Sequence, residues 1–291
     1  MAKKHLARAK VNINDEYYTR YIDIENELKH YDKEQFKDKI IYCNCDGYES
    51  NFLKYFKDNY DTYKYKLLIG TGFNPINVGS YYQFDGSKEI KRPLRYFGSF
   101  DSPECMELFH RADIIVTNPP FSQYANLTYL LRKHNKDYLL IGNLLAVTYK
   151  EQFMDIVTNR ATIGTQFIGM YFHTPEGIDT HISAGFFTTL NYNYKREYLD
   201  LPNYEDNKYD IVEQKYKGNK VINIKRSKDI PKDYKGYMAV PITFMNKENF
   251  KEYKLYGLTN SMTKDEYFLG RYTIKGKPIF AKLIIKKKDN L

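Results

Sequence analysis

Residues 117–121 read Thr-Asn-Pro-Pro-Phe and follow directly on the largely apolar run Ala-Asp-Ile-Ile-Val at 112–116. Proline fixes φ and carries no backbone N–H, so two in succession make a stiff segment that offers carbonyl acceptors without competing donors. An amine with two hydrogens needs two acceptors. The side-chain oxygen of Asn118 and the carbonyl of Pro119 can take those hydrogens, turning the nitrogen lone pair out of conjugation with its ring and toward an electrophilic methyl carbon. Phe121 adds a flat apolar face on which a planar ring can stack. The competing reading is an ordinary strand-terminating turn, since Asn and Pro are common loop residues.

The stretch resembles the (Asn/Asp/Ser)-Pro-Pro-(Tyr/Phe/Trp) loop of amino methyltransferases that use S-adenosylmethionine. Its Asn-Pro-Pro-Phe form is most similar to the adenine-N6 DNA enzymes. The likeness extends to Asn14-Asp15-Glu16-Tyr17-Tyr18-Thr19, to Cys43-Asn44-Cys45-Asp46 with Ser50-Asn51-Phe52, to the span from Phe100-Asp101 to Phe121-Ser122, and to Val240-Pro241-Ile242-Thr243-Phe244. On these residues the chain resembles the EcoRI-type adenine-specific DNA methyltransferase family over roughly residues 14 to 260, with a loose match between about 195 and 235.

That resemblance implies methyl transfer from S-adenosylmethionine to the N6 amino group of a flipped adenine in a specific sequence of double-stranded DNA. The enzyme would work within a restriction-modification pair or as an orphan, so a cognate restriction endonuclease is a further candidate partner. Asn118, Pro119, Pro120 and Phe121 are the implied catalytic residues. The implied cofactor residues are Tyr17, Thr19, Asn44, Cys45, Asp46, Ser50, Asn51, Phe100, Asp101 and Asn118. Asp46 is placed to pair with the cofactor's cationic amino group, while Ser50 and Asn51 open a helix whose N–H groups suit its carboxylate. Tyr17 and Thr19 belong to an element that closes over the aminoacyl end. Asp101 would accept from the adenine amino group of the cofactor, with Phe100 flanking that ring.

The cofactor loop departs from the commoner Asp/Glu-x-Phe-x-Gly-x-Gly pattern. It reads Asn44-Cys45-Asp46-Gly47-Tyr48-Glu49-Ser50-Asn51-Phe52, with one glycine, which is the form the EcoRI-type family uses. Gly70-Thr71-Gly72 stands where a ribose-binding acid is expected, so no ribose ligand is named. Without the resemblance, Asp46 and Ser50 read equally as turn and cap residues. No Pro-Cys pair occurs, which separates the chain from cytosine-C5 chemistry. Phe186 and Phe187 either form a second wall of a base pocket or belong to the core. The remaining alternatives are an RNA or protein amino methyltransferase and a catalytically inactive DNA-binding protein, for which the glycine-poor loop is the argument.

Composition fits such a partner. At 291 residues the chain can bury a large core. Its net charge of +9, with 30 Tyr and 18 Phe, suits a surface that neutralises phosphates and stacks bases, although most aromatics must be core and Lys-rich surfaces are often only solvated faces. Cys43 and Cys45 are too close for a usual zinc pair without two more ligands, Cys105 is isolated and the histidines lack H-x-x-x-H spacing, so reduced thiols and no metal are expected. The sequence contains no apolar run long enough to span a bilayer and begins without an apolar signal core, pointing to the cytoplasm and no membrane.

The elements that must carry these residues alternate. Strands are expected at 39–43, 65–70, 94–100, 113–116 and 138–142, and helices near 25–31 and at 50–60, 103–111 and 124–133, with a hairpin or excursion at 77–92. This pattern predicts an α/β fold with a doubly wound, mainly parallel sheet of the S-adenosylmethionine-dependent methyltransferase type. Asp46, Asp101 and Asn118 would then sit at the carboxyl ends of strands, where ligands bind in such sheets. The expected division is a basic tail at 1–13, a catalytic cofactor-binding domain at 14–195 and a smaller C-terminal DNA target-recognition region at 196–291. In the last of these, Lys and Tyr increase and turns fall at Asp206-Asn207, Lys217-Gly218-Asn219 and Pro231.

Overall fold

The computed structural model describes residues 18–167, 169–173, 179–259 and 266–289. The chain divides into two compact units, one from residues 1–146 and 160–194, the other from 147–159 and 195–291. The tail and Tyr17 lie outside the described residues.

In chain order the first unit runs β1 (Tyr18–Thr19), α1 (Tyr21–Leu28), β2 (Ile40–Cys43), α2 (Asn51–Asp58), β3 (Leu67–Gly72), β4 (Ser80–Phe84), β5 (Glu89–Pro93), α3 (Pro103–Arg111) and β6 (Ile114–Thr117). It continues through α4 (Tyr124–Lys133), β7 (Asp137–Asn143), β8 (Thr162–Ile163), β9 (Met170–His173), β10 (Asp179–Ile182) and β11 (Ala184–Thr188). Eight of the strands form one sheet in the order β5-β4-β3-β2-β6-β7-β11-β8. Its centre is parallel: Ile41 pairs with Leu68 on one side and Ile114 on the other, and Val116 pairs with Leu139. These central strands are near-continuous apolar runs because both their faces are covered.

The sheet is mixed rather than mainly parallel. β4 and β5 fold back on β3 as an antiparallel hairpin, and β11 and β8 close the other side antiparallel to β7. The β3–β4 and β4–β5 connections are a few residues long, far short of the dozen or more that a parallel crossover needs. At one edge β5 is exposed along most of its length and ends in Pro93, and the other edge is the two-residue β8.

The strand expected at 94–100 is a loop. Gly98 takes φ +82°, and the segment's backbone bonds go to another loop: Leu94 N–H to Gly79 O at 2.8 Å, Gly79 N–H to Tyr96 O at 2.7 Å and Asn74 N–H to Phe97 O at 2.8 Å. Tyr96 and Phe97, which gave the run its apolar look, are more than half exposed. Asp101 therefore follows a loop and precedes α3, instead of ending a strand.

Helices α1 and α2 lay Ile24, Leu28, Phe52, Leu53 and Phe56 against Ile41, Leu68, Val116, Leu139 and Ile141 of the sheet. Within this packing the carboxylate of Glu27 is fully buried and accepts from Tyr31 OH (2.7 Å), Thr165 N–H (2.8 Å), Thr165 Oγ1 (2.6 Å) and Gln166 N–H (2.9 Å). A buried carboxylate needs that many donors, and these bonds clamp residues 165–166 onto α1. Phe186 and Phe187 are core: both have no exposed surface, and Phe187 meets the rings of Tyr124 at 5.8 Å and Phe167 at 5.5 Å.

The second unit has its own five-stranded sheet, ordered β12-β13-β14-β18-β15. Its elements are α5 (Lys150–Val157), β12 (Asp210–Ile211), β13 (Val221–Asn223), β14 (Tyr237–Pro241), β15 (Tyr253–Leu258), the small ribbon β16 (Thr273–Ile274) and β17 (Lys277–Pro278), and β18 (Lys282–Lys287). Val212, Tyr216, Val221, Ala239, Tyr272 and Ile284 make its core. Lys217 and Gly218 both take positive φ, and Tyr216 and Asn219 exchange backbone bonds around them, as a two-residue hairpin turn requires. A single cut at 195/196 does not describe this division. α5 packs on β15, and Phe153 meets Phe268 with ring centroids 5.4 Å apart, so residues 147–159 belong with the C-terminal sheet.

Candidate active site

Two loops leave the carboxyl ends of the adjacent strands β2 and β6, and the buried carboxylate of Asp46 ties them together. Its Oδ2 accepts from Thr117 Oγ1 at 2.5 Å and its Oδ1 from Ser50 Oγ at 2.6 Å. The backbone N–H of Asn118 donates to the same carboxylate. Burial is the largest influence on Asp46 and pushes its pKa up to about 6, with the three donors pulling the other way. Among the described residues the carboxylate is thus held by neutral donors, without a cation.

The loop from Asn44 to Ser50 is fixed from both ends. The Thr117 hydroxyl accepts from Cys45 N–H at 3.2 Å, and the Ser50 hydroxyl caps α2 by accepting from Phe52 N–H at 3.1 Å. The Asn51 side chain reaches back to Thr19 O at 2.8 Å, which brings β1 against the start of α2. Burial pushes the Cys45 thiol up, and the neighbouring Asp46 adds to the effect, so this sulfur is a poor nucleophile. Asp101 lies close enough to act electrostatically on Cys45; it is exposed and accepts from the Ser99 hydroxyl, while Phe100 beside it is buried.

Glycines outside the Asn44–Ser50 segment provide the close approach that its single glycine does not. A Cβ on Gly72 would stand 2.8 Å from the Cα of Gly47 and 2.7 Å from Ser80 Oγ, and one on Gly79 or Gly98 would stand about as close to the carbonyl of Gly72. Gly70 and Gly72 lie in the carboxyl-terminal half of strand β3, Gly72 as its last residue, rather than in a loop after it.

In the Asn-Pro-Pro-Phe loop, Pro119 is buried and Asn118, Pro120 and Phe121 are half-buried. Phe121 begins a single 3-10 turn and packs partly on the core beneath. Two buried polar atoms on or beside these loops have no hydrogen-bond partner among the described residues, Asn44 Nδ2 and Thr19 Oγ1, on residues 1% and 6% exposed. An unmade buried hydrogen bond costs about 1–3 kcal/mol, which a polar ligand would remove. An unpartnered amide donor on the loop that also carries a buried carboxylate fits an amino-acid-like group, with a carboxylate for the one and a cationic amine for the other, such as the methionine end of S-adenosylmethionine.

The structure thus brings Thr19, Asn44, Cys45, Asp46, Ser50, Asn51 and Asn118 together and places Asp101 near them. Thr117 was missed as a site residue; its signal was a hydroxyl ending an apolar run just ahead of the Asn-Pro-Pro segment. Among the described residues no group of three or more His, Cys, Asp or Glu is placed to hold a metal ion, and no helix is long and apolar enough to cross a membrane.

The model of the family described as adenine-specific methyltransferase EcoRI matches residues 5–288. The chain belongs to the EcoRI adenine-specific methyltransferase family. Its relatives include the type II methyltransferase M.EcoRI of Escherichia coli, 33% identical over 98% of this chain and 97% of that one. M.MgeORF184P of Mycoplasma genitalium is 33% identical over 98% of this chain and 99% of its own, and M.MpnI of Mycoplasma pneumoniae 32% over 98% of each. No solved structure matches the chain. As a member of the EcoRI family this enzyme is a site-specific, adenine-specific DNA methyltransferase.

Proposed function

We propose that the enzyme moves a methyl group from S-adenosylmethionine to the N6 amino group of an adenine extruded from double-stranded DNA. The observation that carries this reading is the shared carboxylate: Asp46 holds the Ser50 side of one loop and the Thr117-Asn118 start of the other, so the two loops are fixed side by side. Asp46, Asn44, Ser50 and Thr19 are the residues that would hold the cofactor, with Asp101 toward its adenine end. Bound there, S-adenosylmethionine supplies an electrophilic methyl group on a positively charged sulfur.

The chain's own residues do the rest. Asn118 and the Pro119 carbonyl accept the two hydrogens of the target amine and turn its lone pair toward the methyl group. Pro119 and Pro120 keep that geometry stiff, since neither residue has a backbone N–H to satisfy. Phe121 supplies a stacking face for the extruded base, whose unpairing and unstacking cost a few kcal/mol. Proximity and electrostatics account for the rate, with no strong base and no thiolate required. Residues 196–291, rich in Lys and Tyr, supply the surface that reads the DNA sequence, and a cognate restriction endonuclease is the natural companion of such an enzyme.

Expression in a host lacking adenine methylation tests this directly. Long-read sequencing of native DNA should find N6-methyladenine at one short motif genome-wide. Unmodified genomic adenine, with cofactor binding confirmed by calorimetry, would overturn duplex DNA as substrate and make RNA the next to test.

A further inference from the structure

We propose that Thr117 is a positioning residue that couples the cofactor loop to Asn118, through one hydroxyl that accepts from Cys45 N–H and donates to Asp46. The inference rests on the reading of the Asn44–Ser50 and Asn118–Phe121 loops as two halves of one site.

Thr117 is the last residue of β6 and is fully buried. A hydroxyl there has three potential bonds and no water to make them with, so its partners determine its rotamer. Its partners lie on the loop after β2, among them the Cys45 backbone and the Asp46 carboxylate. The next residue's backbone N–H also ends on that carboxylate. Bonds from consecutive residues to one group pin the peptide between them, and that peptide sets the direction in which the Asn118 side chain leaves the chain. Misplacing an orienting group by about 1 Å can cost on the order of a hundredfold in rate.

The coupling runs both ways. The ionised carboxylate accepts from Ser50, Thr117 and Asn118 together, whereas a protonated one gives up acceptor capacity. A cation arriving beside Asp46 favours the ionised form and so tightens the grip on residues 117 and 118. Thr117 needs no contact with either substrate to act in this way.

Two substitutions isolate the hydroxyl: Thr117→Val keeps the shape and removes it, and Thr117→Ser keeps it and drops a methyl group. Single-turnover methyl transfer to target duplex should fall at least about tenfold in the Val variant, while the Kd for S-adenosylmethionine, by calorimetry, stays within about threefold because Ser50 and Asn118 still hold Asp46. The Ser variant should transfer within about threefold of wild type. Amide hydrogen exchange at Asn118 should slow on adding S-adenosylmethionine in the wild-type and Ser proteins, and by clearly less in the Val variant, where the Asn118 N–H reaches Asp46 without the neighbouring hydroxyl.

Wild-type speed in Thr117→Val, equal losses in Val and Ser, or a loss seen wholly as weaker cofactor binding would each overturn the coupling. Should the Val variant fail to fold, Thr117→Ala against Thr117→Ser gives the same comparison. Asn118→Ala serves as control. If it transfers at wild-type speed the reading of the site itself fails, whereas loss in Asn118→Ala with none in Thr117→Val refutes the coupling alone.

Discussion

Asp46 is a buried carboxylate with three neutral donors and, among the described residues, no paired cation, an arrangement that costs stability until something positive arrives. Its ionised form is the one that pairs with an ammonium group, and burial raises its pKa from the ordinary 3.8 to about 6. Protons therefore compete with the cofactor: affinity should be flat above pH 6 and fall as pH drops through it, by about tenfold per unit well below. Titration calorimetry from pH 5 to 8 should show that slope in the wild type and lose it in Asp46→Asn, which binds more weakly throughout. An affinity that did not change across this range would exclude Asp46 as the ammonium's partner. Asn118→Ala should cut single-turnover transfer to below about a tenth while leaving cofactor affinity within a few-fold, because the lost acceptor acts on the target amine. The placing of both residues just past the ends of strands was legible from sequence, whereas a cofactor role for Asp46 came from the family resemblance, the residue alone reading equally as part of a turn. The role of Thr117 was not legible, because a hydroxyl at a strand end shows its purpose only once its partners on the neighbouring loop are known.

Among elements, those with local punctuation could be read and those defined by distant partners could not. α3 runs over Pro103–Arg111 as expected, because Ser102 caps it by accepting from Cys105 N–H at 3.4 Å and Pro103 occupies its first turn. α4 over Tyr124–Lys133 follows from a wide apolar stripe with basic residues in the last turn. Residues 94–100 misled because Leu94, Tyr96, Phe97 and Phe100 imitate a strand, whereas the segment's hydrogen bonds are fixed by contact with 74–79 and by a positive φ at Gly98. The antiparallel entry of β11 depends on long-range pairing, for which no local signal exists. The glycine contact between β3 and the cofactor loop gives a prediction at this scale. Gly72→Ala places a methyl group against the backbone of Gly47, so the loop must move; stability should drop by about 1–3 kcal/mol in denaturant titration and cofactor affinity by tenfold or more. A Gly72→Ala enzyme with normal affinity would mean that the approach of β3 does not shape the cofactor site.

For the whole molecule, the charge of +9 is the property that sets encounter with a polyanion. Lys215, Lys217 and Lys220 are all exposed around the hairpin turn before β13. Replacing the three with alanine should weaken binding to all DNA sequences alike and reduce the slope of log Kd against log salt by about 2–3, if each meets a phosphate. Loss confined to one motif position would mark a base reader instead. The two sheets were unequally visible from sequence. The parallel centre of the first follows from apolar runs separated by helices, but the sheet of the second unit is built from short strands in a Lys- and Tyr-rich background that reads as loop. One property of the larger sheet bears on how the protein behaves at high concentration. Its β5 edge presents Lys91, Arg92 and Pro93 to solvent, and its β8 edge is two residues long, so neither side offers the flat, unpaired ladder on which further chains could add as strands. Charge and proline at one border, with brevity at the other, act as a barrier to ordered aggregation, and Lys91→Val with Arg92→Val should raise the rate of fibril or precipitate formation, read by light scattering, without altering the fold of the soluble fraction.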